Sequence, residues 1–142
     1  MFIVLIYSSL FLGEIGGFYF KFWWWDNMLH ALSAVMLSVL GFIIVYVLYS
    51  GKKVSASASL VSVFAFGFAV SLGAIWEIFE FIMDNVFYLN MQKSGLVDTM
   101  TDLIVDTIVA AFVCSAGYLY IKYDKGYLIN KIIKRMRSNR KI

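Results

Sequence analysis

One histidine and several carboxylates, all set in apolar sequence, are the residues best suited to chemistry in this chain. Glu77 and Glu80 lie three residues apart in one apolar stretch, Asp102 and Asp106 lie four apart in another, and His30 is the single histidine. Spacings of three and four place side chains on one face of an α-helix. Each pair therefore forms a polar stripe, and we expect the stripes to face one another inside a helical bundle.

The cost of placing these acids in a membrane limits what they can be. An acid near the middle of a membrane helix costs roughly 2.5 to 3.5 kcal/mol on insertion scales, so Glu14, Glu77, Glu80 and Asp106 would together cost on the order of 10 kcal/mol if unpaired. Close carboxylates in a poorly solvated site must share protons, pair with a cation or bind a metal ion. The chain has few basic residues near them, so the charge balance predicts shared protons or a bound metal.

We predict that the metal, where one is bound, is a divalent cation. Many carboxylates and one imidazole, with no thiolate cluster, favour Mg²⁺, Mn²⁺ or Ca²⁺ over iron or Zn²⁺. The candidate ligands are His30, Glu77, Glu80, Asp102 and Asp106, with Glu14, Asp26 and Asp98 as outer partners that support them. The candidate catalytic residues are His30, Glu77 and Asp106. Simpler interpretations stay open, since Asp98 or Thr99 can cap a helix and His30 can be a packing residue.

The composition places the chain in a membrane. Apolar residues make up 62% of the 142 and charged residues 15%, and the mean hydropathy is +0.83, whereas globular domains average about 45–50% and 25%. Four apolar stretches are long enough to cross, at about 1–20, 28–49, 54–83 and 99–121. Their apolar runs are continuous and do not alternate, which favours helices over a β-barrel. We therefore predict an all-α fold, an integral membrane bundle of four transmembrane helices in one domain, 1–121.

The basic residues predict the orientation. Four crossings place both termini and the loop with Lys52 and Lys53 on one side, together with ten of the twelve lysines and arginines, so we predict that both termini are cytoplasmic. Residues 122–142 form a basic amphipathic tail, which we expect to lie on anionic lipids of the inner leaflet. Nucleic acid is not an expected partner, because the basic residues adjoin apolar segments. Eight of the nine acids then fall on the outer side or in the outer half of the bundle.

Several strings resemble a known bacterial family. They are Trp24-Trp25-Asp26-Asn27-Met28-Leu29-His30, Trp76-Glu77-Ile78-Phe79-Glu80-Phe81, Leu89-Asn90-Met91-Gln92 and the stretch from Gly95 to Thr107. The sequence resembles, from about Glu14 to Tyr120, the membrane-spanning family that includes the YjdF inner-membrane proteins. The resemblance implies a multi-pass protein of the bacterial plasma membrane, and it supplies topology without a settled activity. The positions that match the family's polar residues are Glu14, Asp26, His30, Glu77, Glu80, Asp98, Asp102 and Asp106. A looser likeness to VanZ-like membrane proteins serves only as an analogy.

Three functions are compatible with this pattern. The first is a non-catalytic structural or partner role, in which a bound cation or shared protons lock the bundle. The second is a metal-dependent intramembrane hydrolase or transferase that acts on a lipid-phosphate headgroup, with His30 as general acid or base. The third is a cation- or proton-coupled transport module, which would require a homo-oligomer because four spans are few for a transporter.

Overall fold

The regular elements are all helices in the part of the chain that the structure describes. The structure is a computed structural model, and it describes residues 2–50 and 57–123. The prediction of an all-α fold is confirmed for these residues. The loop with Lys52 and Lys53 and most of the tail predicted for 122–142 lie outside them. In chain order the helices are α1 (Phe2–Tyr7), which continues as a π-helical stretch (Ser8–Ile15), α2 (Phe18–Lys21), α3 (Trp25–Ser50), α4 (Ala58–Phe87) and α5 (Leu96–Tyr123).

Three of these helices are long and apolar enough to cross a membrane. They are Trp25–Leu48 within α3, Ala58–Phe87 and Leu96–Tyr123, and each exceeds the roughly 20 residues that a bilayer requires. The apolar helix Ile3–Ile15 is shorter. The predicted first span, about 1–20, is divided because Gly17 adopts a left-handed backbone with φ of 69°, a conformation that glycine allows at low cost. Residues 2–50 and 57–123 therefore contain three candidate spans and a shorter apolar helix before them.

Small residues form the centre of the bundle that α3, α4 and α5 build together. Ala34, Ser38, Ala65, Ala69 and Ala110 are all buried. Large apolar side chains point outward from the same helices, and Phe112, for example, is 76% exposed. Membrane helices associate in this way, since lipid removes the hydrophobic drive between helices and small side chains permit close van der Waals contact.

Glycine sets the closest approach between α3 and α4. A Cβ atom built on Gly41 would lie 2.8 Å from the Cα of Ala65, closer than carbon atoms pack. Gly67, in the first half of α4, has nothing within 4 Å of such a Cβ. Helix packing therefore requires glycine at position 41 but does not require it at position 67.

The loop between α4 and α5 is fixed by side chains at the ends of both helices. Asp84 accepts hydrogen bonds from the backbone N–H groups of Met91 and Gln92, at 2.7 and 2.8 Å. The side-chain amide of Gln92 donates to the hydroxyl of Thr99 at 2.6 Å. The chain turns through left-handed backbone at Tyr88, with φ of 55°, as α4 ends. These bonds hold residues 88–95 over one end of the three-helix bundle.

Replacing Gly41 by alanine should destabilise the bundle, because the added methyl must separate α3 from α4. We expect a loss of about 1 to 3 kcal/mol, the usual cost of overpacking, measured as a lower unfolding temperature in detergent. Gly67→Ala is the control, and it should be neutral or stabilising by up to about 1 kcal/mol. Equal stability of the two variants would contradict the close approach at Gly41.

Candidate functional site

His30 lies at the centre of a cluster of acids that three helices supply. Its Nε2 atom is 3.6 Å from Oε1 of Glu77 and 3.9 Å from Oδ2 of Asp102, and its Nδ1 atom is 3.4 Å from Oδ2 of Asp106. His30 belongs to α3, Glu77 to α4, and the two aspartates to successive turns of α5. The cluster therefore exists only when all three helices are packed together.

These four side chains are buried, and two of them, Glu77 and Asp106, have oxygens without a hydrogen bond to any described residue. His30 is 7% exposed, Glu77 and Asp102 are each 3% exposed, and Asp106 is 4% exposed. Both carboxylate oxygens of Glu77, and Oδ1 of Asp106, find no hydrogen-bond partner among the residues that the structure describes. Buried polar atoms are nearly always hydrogen-bonded, so such atoms require an explanation. A carboxylate in this state can be satisfied by a proton or by a metal ion.

The two nitrogens of His30 face different acids. Nδ1 is within hydrogen-bond reach of Asp106, and the tautomer with its hydrogen on Nδ1 donates to that carboxylate. Nε2 then presents its lone pair toward Glu77 and Asp102. A histidine that binds a metal through one nitrogen commonly donates its other N–H to a carboxylate, which fixes the ring and its tautomer. Asp106 is placed to give His30 this support.

Two groups of side chains in the cluster have the spacing that a cation requires. In one, single ligand atoms of His30, Glu77 and Asp102 all lie within 4.8 Å of one another, and in the other the same holds for Asp26, Asp98 and Asp102. Metal–oxygen bonds of 2.0 to 2.6 Å bring ligand atoms on opposite sides of an ion to about that separation. We call these sets the inner group and the outer group, and Asp102 belongs to both.

A lysine from the loop contacts both other acids of the outer group. The Nζ atom of Lys93 lies 3.0 Å from Oδ2 of Asp26, and its backbone N–H donates to Oδ2 of Asp98 at 3.0 Å. The same ammonium lies 3.2 Å from the centre of the Tyr19 ring, which is a cation–π contact. The outer group therefore has a cation of its own, whereas the inner group has, among the residues that the structure describes, only the imidazole.

The remaining predicted site residues lie apart from the inner group. Glu80 is half-buried, and its Oε1 accepts a hydrogen bond of 2.9 Å from the indole of Trp76. Glu14 is exposed on the π-helical stretch. Neither belongs to the inner or the outer group. Of the eight predicted residues, the structure thus assembles six in the two groups and around His30, namely Asp26, His30, Glu77, Asp98, Asp102 and Asp106.

Comparison with known proteins identifies the family. A family model described as "Predicted membrane protein (DUF2238)" matches residues 1–123. The chain belongs to the DUF2238 family. Every residue of the inner and outer groups lies within the matched segment. The family is one of membrane proteins, in agreement with the resemblance seen in the sequence, although its description does not name the YjdF proteins.

The chain is also similar to a bacterial protein. A Thermotoga maritima protein, described as uncharacterized, is 29% identical over 109 residues, which are 74% of this chain and 55% of that protein. This DUF2238 chain therefore spans about half the length of the relative. No solved structure matches the chain.

Sequence reasoning did not assign two residues of the site, Lys93 and Gly73. Lys93 contributes to the predicted orientation only as one of the charges. It is the one basic residue between α4 and α5, and this position in the sequence was the signal that could have identified it. Gly73 lies one turn before Glu77, on the same face of α4. A Cβ atom at Gly73 would collide with Oδ2 of Asp106, so this glycine makes the space that Asp106 occupies beside His30.

Gly73→Ala should displace Asp106 from Nδ1 of His30. Because the chain has one histidine, the imidazole ¹⁵N spectrum of the purified protein reports on His30 alone. We expect the Nδ1 resonance to shift and the stability to fall by about 1 to 3 kcal/mol. Gly67→Ala should leave the Nδ1 resonance unchanged and should not lower the stability, since a Cβ at Gly67 meets nothing within 4 Å. An unshifted Nδ1 resonance in Gly73→Ala would contradict this role.

Proposed function

We propose that this membrane protein binds a divalent cation between α3, α4 and α5. The ligands are Nε2 of His30 and the carboxylates of Glu77 and Asp102, and Asp106 orients the imidazole through Nδ1. The observation that supports this assignment most strongly is Glu77, whose two oxygens are buried without a hydrogen-bond partner among the described residues. A divalent ion would satisfy those oxygens and join all three helices.

Charge supports the same assignment. Glu77, Asp102 and Asp106 surround one imidazole, which neutralises at most one negative charge even when it is protonated. Lys93, the nearest lysine in the described loop, is already paired with Asp26. A bound divalent ion supplies two positive charges at the point where the three helices meet, and a buried charge is tolerated when it is paired or coordinates a metal.

The donor set favours a hard or borderline ion. Two carboxylates and an imidazole suit Mn²⁺ best among Mg²⁺, Mn²⁺ and Ca²⁺, because Mg²⁺ and Ca²⁺ prefer oxygen alone. In this proposal the ion has a structural role, and it fixes the packing of three helices that small residues hold only weakly.

A second candidate function is a metal-dependent hydrolase or transferase that acts on a lipid phosphate. Three protein ligands leave coordination positions open, as catalytic metal sites do. A water molecule or a phosphate oxygen could take such a position. His30 would then act as a ligand oriented by Asp106, and Lys93 would be the cation nearest to an incoming phosphate.

Purified wild-type protein should contain about one divalent ion per chain when it is prepared with Mn²⁺ and without chelators. Glu77→Gln and Asp102→Asn should each lose most of that ion, because an amide is a much weaker ligand than a carboxylate. The measurement is metal content by plasma mass spectrometry. Glu14→Gln is the matched control, since Glu14 is exposed, and it should keep the ion.

Two further results separate this site from other arrangements. Glu80→Gln should keep the ion, because the Glu80 carboxylate is bonded to Trp76 and lies outside the inner group. Retention of the ion by Glu77→Gln with unchanged affinity would refute the proposed ligand set. Unfolding temperatures measured in excess chelator distinguish a lost ligand from a lost fold.

We propose that the chain crosses the plasma membrane four times with both termini in the cytoplasm. The first crossing is then made by residues of about 1–20, including the shorter helix Ile3–Ile15. This topology places the inner and outer groups in the outer half of the bundle. It also places the basic tail, 122–142, against anionic lipids of the inner leaflet. If the protein transports an ion, we expect it to work as a homo-oligomer.

Cysteine labelling tests this topology. Cys114 is buried and is the chain's single cysteine, so Cys114→Ala gives a background without thiols. Ser94→Cys, in the exposed loop before α5, should react with an impermeant maleimide added to intact cells. Ser59→Cys, at the exposed start of α4, should react only after lysis, and the reverse pattern would show that the orientation is inverted.

A further inference from the structure

Lys93 is bound to the outer group by both its side chain and its backbone. The ammonium pairs with Asp26 at 3.0 Å, and the N–H bonds Asp98 at 3.0 Å. Both acids belong to the group that has the spacing of a cation site. The outer group thus already holds a cation, and that cation is a side chain of the same protein.

The acids form a continuous path from Lys93 to His30. Asp102 belongs to the outer group with Asp26 and Asp98 and to the inner group with His30 and Glu77. Asp102 therefore offers a carboxylate to a cation in either group. At the far end of this path the carboxylate of Glu77 is 3% exposed and has no hydrogen-bond partner among the described residues.

We propose that the Lys93 ammonium is a tethered cation that a divalent ion replaces on its way to His30, so that Lys93 sets the affinity and the entry rate of the site. This inference rests on the proposed function, because it describes how the same site is regulated. Two cations of like charge cannot share the outer group without strong repulsion. The entering ion must therefore displace the ammonium from Asp26.

The loop allows this exchange without unfolding. Asp84 binds the N–H groups of Met91 and Gln92, and the Gln92 amide binds Thr99. The backbone around Lys93 is thus fixed from both helices. The lysine side chain is a flexible four-carbon stem with a compact charge, so it can leave Asp26 by rotation about its own bonds while the loop stays in place.

Lys93→Gln tests the proposal, because glutamine removes the charge and keeps a polar side chain. The probe is Mn²⁺, titrated into detergent-purified full-length protein and followed by electron paramagnetic resonance. We expect Lys93→Gln to bind Mn²⁺ about tenfold more tightly than the wild type, which corresponds to about 1.4 kcal/mol, and to associate faster in stopped-flow mixing. Lys93→Arg retains the charge and should resemble the wild type.

Lys21→Gln is the matched control. It removes the same charge from a lysine whose ammonium donates to the carbonyl of Gly16 and contacts no acid among the described residues. Its Mn²⁺ affinity should equal that of the wild type. A tenfold gain in Lys21→Gln as well would show a general effect of net charge and would overturn the role of Lys93.

The binding results separate the role of Lys93 from the existence of the metal site. Wild-type binding that depends on Glu77, with unchanged or weaker binding in Lys93→Gln, would leave the metal site standing and show that Lys93 only anchors the loop. Absence of Mn²⁺ binding in wild type and in Lys93→Gln would overturn both. Should Lys93→Gln fail to fold, a faster association in Lys93→Met supports the proposal, and an unchanged rate overturns it.

Discussion

Three buried carboxylates around a single imidazole are the constraint on which the rest of this structure depends. In water such acids would be solvated, but between membrane helices they must find protons, cations or a metal ion. The described part of the chain offers His30 to the inner group and Lys93 to the outer one. The packing of the three helices brings acids from α4 and α5 onto the histidine of α3.

The small residues at the centre of the bundle follow from this requirement. A cluster built from three helices needs backbones that approach closely, and Gly73 and Gly41 provide such approaches at two levels of the bundle. At Gly73 the space is filled by the carboxylate of Asp106, and at Gly41 it is filled by the backbone of Ala65. The large apolar side chains lie on the outside, where lipid is an adequate solvent for them.

The helical membrane fold, and the placing of Asp102 and Asp106 on one helix face, could be predicted from the sequence because both depend on residues close together in the chain. Continuous apolar runs determine membrane helices, and spacings of four place Asp102 and Asp106 on one face wherever α5 lies. The role of Glu80 could not be derived in this way. A spacing of three rotates the Glu80 side chain by about 60° around the helix from that of Glu77, and the indole of Trp76, four residues earlier, donates a hydrogen bond to Glu80.

The position of Lys93 depends on loop geometry, including the left-handed backbone at Tyr88, which no helical periodicity encodes. The division of the first apolar stretch at Gly17 is likewise a property of one backbone angle.

In the proposed site, ion binding and helix packing are one equilibrium. The ligands come from three helices, so a separated bundle has no site, and an ion that binds only the packed form stabilises it by an amount that grows with its concentration. At a hundred times the dissociation constant this stabilisation is about 2.7 kcal/mol, a large share of the net stability of a small fold. The same ion can then stabilise the helix packing and have its binding regulated by Lys93. Because Asp102 joins the inner group to the outer group, the occupancy of Asp26 by Lys93 would affect the packing of α3 against α5 as well as the affinity of the site.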